Sequence, residues 1–110
     1  SVTNALKAVK EVNPLMLLEL EVDNLDQIRE ALIIGVDGFL LDNMSPAFIK
    51  KAVLLIRNSE KGNDIFIEAS GGITLDNVRE VAGTGVDMIS VGALTHSAKS
   101  LDVGLDFVDA

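Results

Sequence analysis

The sequence predicts an α/β fold made of four strand–helix units in succession, with the strands parallel. Three observations carry this. Short apolar runs alternate with segments of helical period along most of the chain. A Gly-Val-Asp triplet occurs twice, at Gly35-Val36-Asp37 and Gly85-Val86-Asp87, each time between a helix and a strand. Two strand–helix units fit between the copies, which marks repeated modules. Finally, every predicted strand has one apolar face and a second face that turns polar or small towards its C-terminal end.

Each element has a local reason. Residues 3–12 present Ala5, Leu6, Ala8, Val9 and Val12 at helical spacing, with Thr3 placed to cap the helix and Asn13-Pro14 to end it. Leu15 to Val22 is a strand, apolar except at Glu19 and Glu21. Asn24 caps the next helix, Gln27 completes a capping box, and Leu25, Ile28, Ala31 and Leu32 form the buried stripe. Gly35 closes that helix. Asp37 to Asp42 is the second strand. Ser45-Pro46 starts a helix that runs to about Arg57, since serine caps and proline suits the first helical position. A polar loop over residues 58–63 leads to a strand that stops at Ser70-Gly71-Gly72. Thr74 caps a helix through about Ala82, Gly83-Thr84-Gly85 ends it, and Asp87 to Val91 is the fourth strand. Ala93 to Lys99 can form a short helix.

Alternation sorts the strand side chains into two faces. Met16, Leu18, Leu20 and Val22, then Phe39 and Leu41, then Ile65, Ile67 and Ala69, then Ile89 and Val91 form the apolar face expected under the helices. Glu19 and Glu21, Leu40 and Asp42, Glu68 and Ser70, Met88 and Ser90 fall on the other. In a barrel that second face points to the axis, and its polar ends meet at the C-terminal mouth where active sites of such folds lie. A doubly wound sheet would not favour one polar parity, because helices cover both of its faces. A complete eight-unit barrel needs roughly 250 residues. The expectation is therefore that residues 1–110 form the C-terminal half of a (β/α) TIM-like barrel, as part of a longer chain.

Composition narrows the function classes. The chain is 48% hydrophobic and 24% charged, as a globular core requires. It has no cysteine, which excludes disulfides and thiolate metal sites and fits a reducing, cytoplasmic setting. No apolar run approaches the ~20 residues that span a bilayer. The net charge of −8 argues against a nucleic-acid footprint. The same charge opposes an anionic ligand unless backbone N–H groups, a metal ion or basic residues from elsewhere offset it.

The candidate site lies at the strand ends. Ser70-Gly71-Gly72 lets backbone approach a ligand without a Cβ in the way, and a helix N-terminus after it suits phosphate. The alternative is a tight strand-to-helix turn with no ligand. Glu21 and Asp42 end neighbouring strands and can accept from sugar hydroxyls or hold Mg²⁺ through its waters; otherwise they pair with basic residues. Glu19 and Glu68 lie one layer deeper and are expected to pair with lysine or arginine. His96, the one histidine, suits either a phosphate contact or ordinary surface chemistry. Asn43 is read as shaping its loop. Lys50, Lys51, Lys61, Arg29, Arg57 and Arg79 are read as solvated.

The blocks LELEVDNLDQIREAL, FLLDNMSP, EASGGITLDNVREVAGTGVDMISVGALTHS and LDVGLDF resemble the C-terminal barrel region of the quinolinate phosphoribosyltransferases, the carboxylating nicotinate-nucleotide pyrophosphorylases. The resemblance runs from about Ser1 to Phe107. It implies an enzyme of NAD biosynthesis that joins quinolinate to 5-phosphoribosyl 1-pyrophosphate with Mg²⁺, releasing pyrophosphate and CO₂ and giving nicotinate mononucleotide. It places Glu21 and Asp42 at the ribose hydroxyls and the metal-linked pyrophosphate, as catalytic, substrate and metal residues. It places Ser70, Gly71, Gly72, Gly92 and His96 around the 5-phosphate. It also implies that an N-terminal domain and early barrel strands supply the basic residues for quinolinate, and that the parent is a homodimer. Two other readings share these loops: a related pyrophosphorylase-like protein of molybdenum transport, and a non-catalytic half-barrel that serves in assembly.

Overall fold

The computed structural model describes residues 1–91. Its elements are α1 (Val2–Val12), β1 (Glu19–Val22), α2 (Leu25–Ile34), β2 (Gly38–Asp42), α3 (Pro46–Arg57), β3 (Phe66–Ser70), α4 (Val78–Ala82) and β4 (Met88–Ser90), with a 3-10 turn at Gly62–Asp64. All strand pairs are parallel and the sheet order is β1-β2-β3-β4. Sequence neighbours are thus neighbours in space, as successive units of a half-barrel require.

The register confirms the two faces. Val22, Leu41, Ala69 and Ile89 share one row, and Leu20, Phe39 and Ile67 the next. Phe39, Leu41, Ile67 and Ala69 are fully buried, in one cluster with Ile28 and Ala31 of α2, Ile49, Ala52 and Ile56 of α3 and Val81 of α4. Each of the larger side chains among them, the Phe, Leu, Ile and Val, contributes about 1.5–3 kcal/mol on burial. The opposite face is uncovered among the described residues: Glu19, Glu21, Phe66 and Met88 are exposed and Leu40, Asp42, Glu68, Ser70 and Ser90 half-buried. The helices therefore lie on one side of the sheet, which separates this fold from a doubly wound one.

The Gly-Val-Asp repeat has a shared geometry. Gly35 and Gly85 take φ of 100° and 101°, a region side chains rarely adopt. The following aspartates each clamp the neighbouring strand with two bonds. Asp37 N–H donates to Leu18 O at 2.8 Å and Asp87 N–H to Ile67 O at 2.7 Å. In return, Oδ2 of Asp37 accepts from Leu18 N–H and Oδ2 of Asp87 from Ile67 N–H, both at 2.7 Å. The clamps pin the strand starts, at the end of the sheet opposite the candidate site.

Several boundaries differ from expectation. Helix α1 is capped by Ser1, whose hydroxyl accepts from Asn4 N–H, while Thr3 bonds Glu30 of α2 through its N–H and hydroxyl. Strand β1 begins only at Glu19, because β2 offers no partner before Gly38; Leu15 and Leu17 are exposed. Asn24 and Ser45 cap as expected, accepting from Gln27 and Phe48 N–H. Arg57 is not solvated. Its Nη1 donates to Gly62 O (2.6 Å) and Ile65 O (2.5 Å), and its Nη2 pairs with Asp87 at 2.8 Å.

Candidate functional site

The strand ends bring most of the sequence-derived candidates to one edge of the uncovered face. Asp42 and Ser70 are register partners, and Ser70 is in turn the partner of Ser90. One layer deeper, Glu21, Leu40, Glu68 and Met88 form a row, and Glu19, Gly38 and Phe66 lie below that. Glu21 and Asp42 sit diagonally on adjacent strands. The usual rise and strand spacing put their Cα atoms about 8 Å apart, close enough for both carboxylates to address one sugar.

The turns after β2 and β3 interlock. Asn43 N–H donates to Ser70 O at 2.8 Å, which extends the ladder one bond past the strands. Gly71 and Gly72 have φ of 73° and 68°. A Cβ on Gly71 would lie 2.9 Å from Asp42 Oδ1 and 3.0 Å from Asn43 N; one on Gly72 would lie 3.2 Å from Asn43 Oδ1. The glycines are thus demanded twice, by backbone conformation and by the closeness of the Asp42 turn. What results is an exposed stretch of bare backbone beside a carboxylate.

The helix start expected just after these glycines is displaced. Helix α4 spans only Val78–Ala82. Thr74 still makes the capping bonds expected of it, in the pattern of a capping box: Thr74 N–H donates to Asn77 Oδ1 at 2.8 Å, Asn77 N–H to Thr74 Oγ1 at 3.3 Å, and Val78 N–H to Thr74 O at 2.9 Å. Asn77 Nδ2 also donates to Gly72 O at 2.9 Å, so this turn steadies the glycine pair. Any anion affinity at Gly71-Gly72 therefore comes from local N–H groups and not from a helix dipole.

The face is strongly acidic. The two ion pairs among the described residues, Arg29–Asp26 and Arg57–Asp87, lie off it. Lost hydration, and then repulsion from the Glu68 carboxylate, push Glu19 above the ordinary carboxylate value. Its side chain leans over Gly38, where a Cβ would meet Glu19 Cγ at 3.7 Å. Glu68 Oε2 accepts from the Ser90 hydroxyl. Parity had put Ser90 on this face without marking it as a candidate; its pairing to Glu68 is visible only once the register is known. No group of three or more His, Cys, Asp or Glu able to cage a metal occurs among the described residues. Glu21 and Asp42 fit instead a Mg²⁺ that keeps several waters and takes its other ligands from a phosphate substrate. Gly92 and His96 lie outside the described residues.

The chain matches the family model "Quinolinate phosphoribosyl transferase, C-terminal domain" over residues 1–106. It is 44% identical over 110 residues to a probable carboxylating nicotinate-nucleotide pyrophosphorylase of Methanocaldococcus jannaschii, covering 97% of this chain and 39% of that protein. It is 42% identical over 106 residues to the carboxylating nicotinate-nucleotide pyrophosphorylase of Mycobacterium leprae, covering 96% and 37%. Among solved structures, the nicotinate-nucleotide pyrophosphorylase of Ehrlichia chaffeensis superposes with a TM-score of 0.78 at 38% identity, over 87% of this chain and 33% of that one. The chain thus spans about two fifths of the length of these curated relatives. A match over nearly every residue, on a sheet whose polar face and glycine turn sit where the sequence puts them, shows that the chain belongs to the quinolinate phosphoribosyl transferase C-terminal-domain family.

Proposed function

We propose that this chain is the ribose- and phosphate-binding part of a carboxylating nicotinate-nucleotide pyrophosphorylase. The reaction joins quinolinate to 5-phosphoribosyl 1-pyrophosphate and yields nicotinate mononucleotide, pyrophosphate and CO₂. The observation that carries this reading is the interlocked pair of turns: the Asp42 carboxylate lies against Gly71, so one phosphorylated sugar can meet both. Family membership supplies the substrate class.

In this reading the Ser70 hydroxyl and the Gly71 and Gly72 N–H groups bind the 5-phosphate, with Gly92 and His96 as further contacts. Glu21 and Asp42 accept from the ribose hydroxyls. The pyridine nitrogen displaces pyrophosphate at the anomeric carbon, and positive charge builds on the ribose as the bond to the leaving group lengthens. Carboxylates held by strand ends stabilise that charge with little reorganisation. When bound beside Glu21 and Asp42, Mg²⁺ supplies charge neutralisation for the pyrophosphate. The cationic ring nitrogen of the adduct then stabilises the electron pair left on the adjacent ring carbon as its carboxylate departs as CO₂, and that carbon takes up a proton to give the product.

Nothing in this division gives the acidic face a means of gripping quinolinate's two carboxylates. We place that grip on basic residues outside this chain, in a cytoplasmic homodimer that carries it. The test is turnover with carboxyl-labelled quinolinate, 5-phosphoribosyl 1-pyrophosphate and Mg²⁺. The protein carrying this chain should release labelled CO₂ and nicotinate mononucleotide together, and the 110-residue chain alone should release neither. Absence of product from the former would overturn the activity. Product from the latter would overturn the division of labour.

A further inference from the structure

Asn43 is the one non-glycine residue with positive φ among the described residues, at 56°. Asparagine tolerates that region better than other side chains, which places Asn43 among residues chosen for backbone shape. Its N–H donates to Ser70 O at 2.8 Å, and its Oδ1 lies over Gly72, 3.2 Å from where a Cβ would stand. Asp42 immediately before it has Oδ1 2.9 Å from the corresponding point on Gly71. The left-handed turn at Asn43 thus holds two things at once: the aim of the Asp42 carboxylate and its closeness to the bare Ser70-Gly71-Gly72 backbone.

We propose that Asn43 is a positioning residue that locks the carboxylate turn of β2 to the phosphate turn of β3, so that both halves of the ligand site keep one spacing. It acts through backbone conformation and its N–H, not by touching substrate. This rests on the functional reading above in one respect only, the identity of the ligand. A ligand bridging a 5-phosphate and a metal-linked pyrophosphate would feel a change in that spacing. Inorganic phosphate, which needs the glycine turn alone, would feel it much less.

The test compares Asn43→Gly, which keeps the positive φ and the N–H, with Asn43→Val and Asn43→Ala, which resist that φ. Each is made in the full protein carrying this chain. For Asn43→Val, KM for 5-phosphoribosyl 1-pyrophosphate should rise at least about tenfold, with kcat falling as well, as for lost transition-state alignment. Inhibition by inorganic phosphate should change less than about threefold, and Asn43→Gly should stay within about threefold of the parent in every constant. Amide exchange at position 43, whose N–H donates to Ser70 O at 2.8 Å, should quicken in the valine and alanine variants and not in the glycine variant. Asn43→Ala serves in place of Asn43→Val if the latter does not fold. Unchanged constants in both strained variants would overturn the proposal, as would a glycine variant as impaired as they are, since that would make the side chain a ligand contact. A parent protein that fails to bind 5-phosphoribosyl 1-pyrophosphate would overturn the functional reading instead. The exchange rates would still decide the role of Asn43.

Discussion

Replacing Asp87 with alanine should cost the fold far more than the same change at its repeat partner Asp37. Alternate N–H groups of β3 point towards β2, as Phe66 N–H does to Asp37 O; that of Ile67 points the other way and is met by Asp87 Oδ2 at 2.7 Å. Ile67 is fully buried, so water cannot readily take the place of the carboxylate. An orphaned buried N–H costs about 1–3 kcal/mol. Loss of the partly exposed pair with Arg57 adds about 0.5 kcal/mol. The guanidinium keeps its two carbonyl partners, Gly62 O and Ile65 O. The sum for Asp87→Ala is about 1.5–3.5 kcal/mol. At Asp37 the bonded N–H belongs to half-buried Leu18, where water can substitute, and no arginine pair is lost; about 1 kcal/mol is expected. Asp87→Asn, which retains an oxygen for Ile67, should fall near or below that. Urea unfolding followed by circular dichroism, with midpoints compared at constant slope, measures all three. Equal losses at Asp37 and Asp87, or a loss under about 0.5 kcal/mol for Asp87→Ala, would refute the reasoning.

Gly62→Ala should destabilise by about 1–3 kcal/mol or more, read in the same unfolding assay, because its Cβ would collide with Ile56 O and lie 2.7 Å from Arg57 Cα. Ser45→Ala should cost about 1 kcal/mol through loss of the α3 cap. Glu19 gives a pH signature. Its folded value is raised, so its contribution favours folding below the ordinary 4.5 and is lost as pH rises through the folded value. Glu19→Gln should therefore be more stable than the parent at neutral pH, with the gain fading below about pH 4.5 and shrinking in high salt. A gain that persists unchanged at acid pH would contradict this origin.

Much of the site was legible because strand alternation is a strict rule. Once Glu21, Asp42 and Ser70 are assigned to strand ends, parity alone puts them on one face, and the register agrees on the face but sets Glu21 one layer deeper than Asp42, level with Glu68. The Gly-Val-Asp repeat was equally plain, but not its work: the clamp depends on which residue of the neighbouring strand lies opposite, a fact of register and not of local sequence. Arg57 was misread for the same reason, since its partners, Gly62, Ile65 and Asp87, are fixed by the fold and not by helical period. The start of β1 was overextended because Leu15 and Leu17 have strand-like character but no partner to pair with. Helix α4 is regular only over Val78–Ala82, yet Thr74 makes the expected capping bonds, exchanging them with Asn77 as in a capping box. The docking of the Asn43 turn on Gly71-Gly72 required coordinates altogether.

The central claim is that carboxylates and bare backbone at successive strand ends hold one phosphorylated ribose. A crystal structure of the protein carrying this chain, with 5-phosphoribosyl 1-pyrophosphate and Mg²⁺ bound, tests it most directly. The 5-phosphate should lie within hydrogen-bonding distance of the Ser70–Gly72 backbone, with ribose hydroxyls facing Glu21 and Asp42. A ligand bound at the opposite end of the sheet, by the Asp37 and Asp87 clamps, or one that leaves Glu21 and Asp42 untouched, would contradict it.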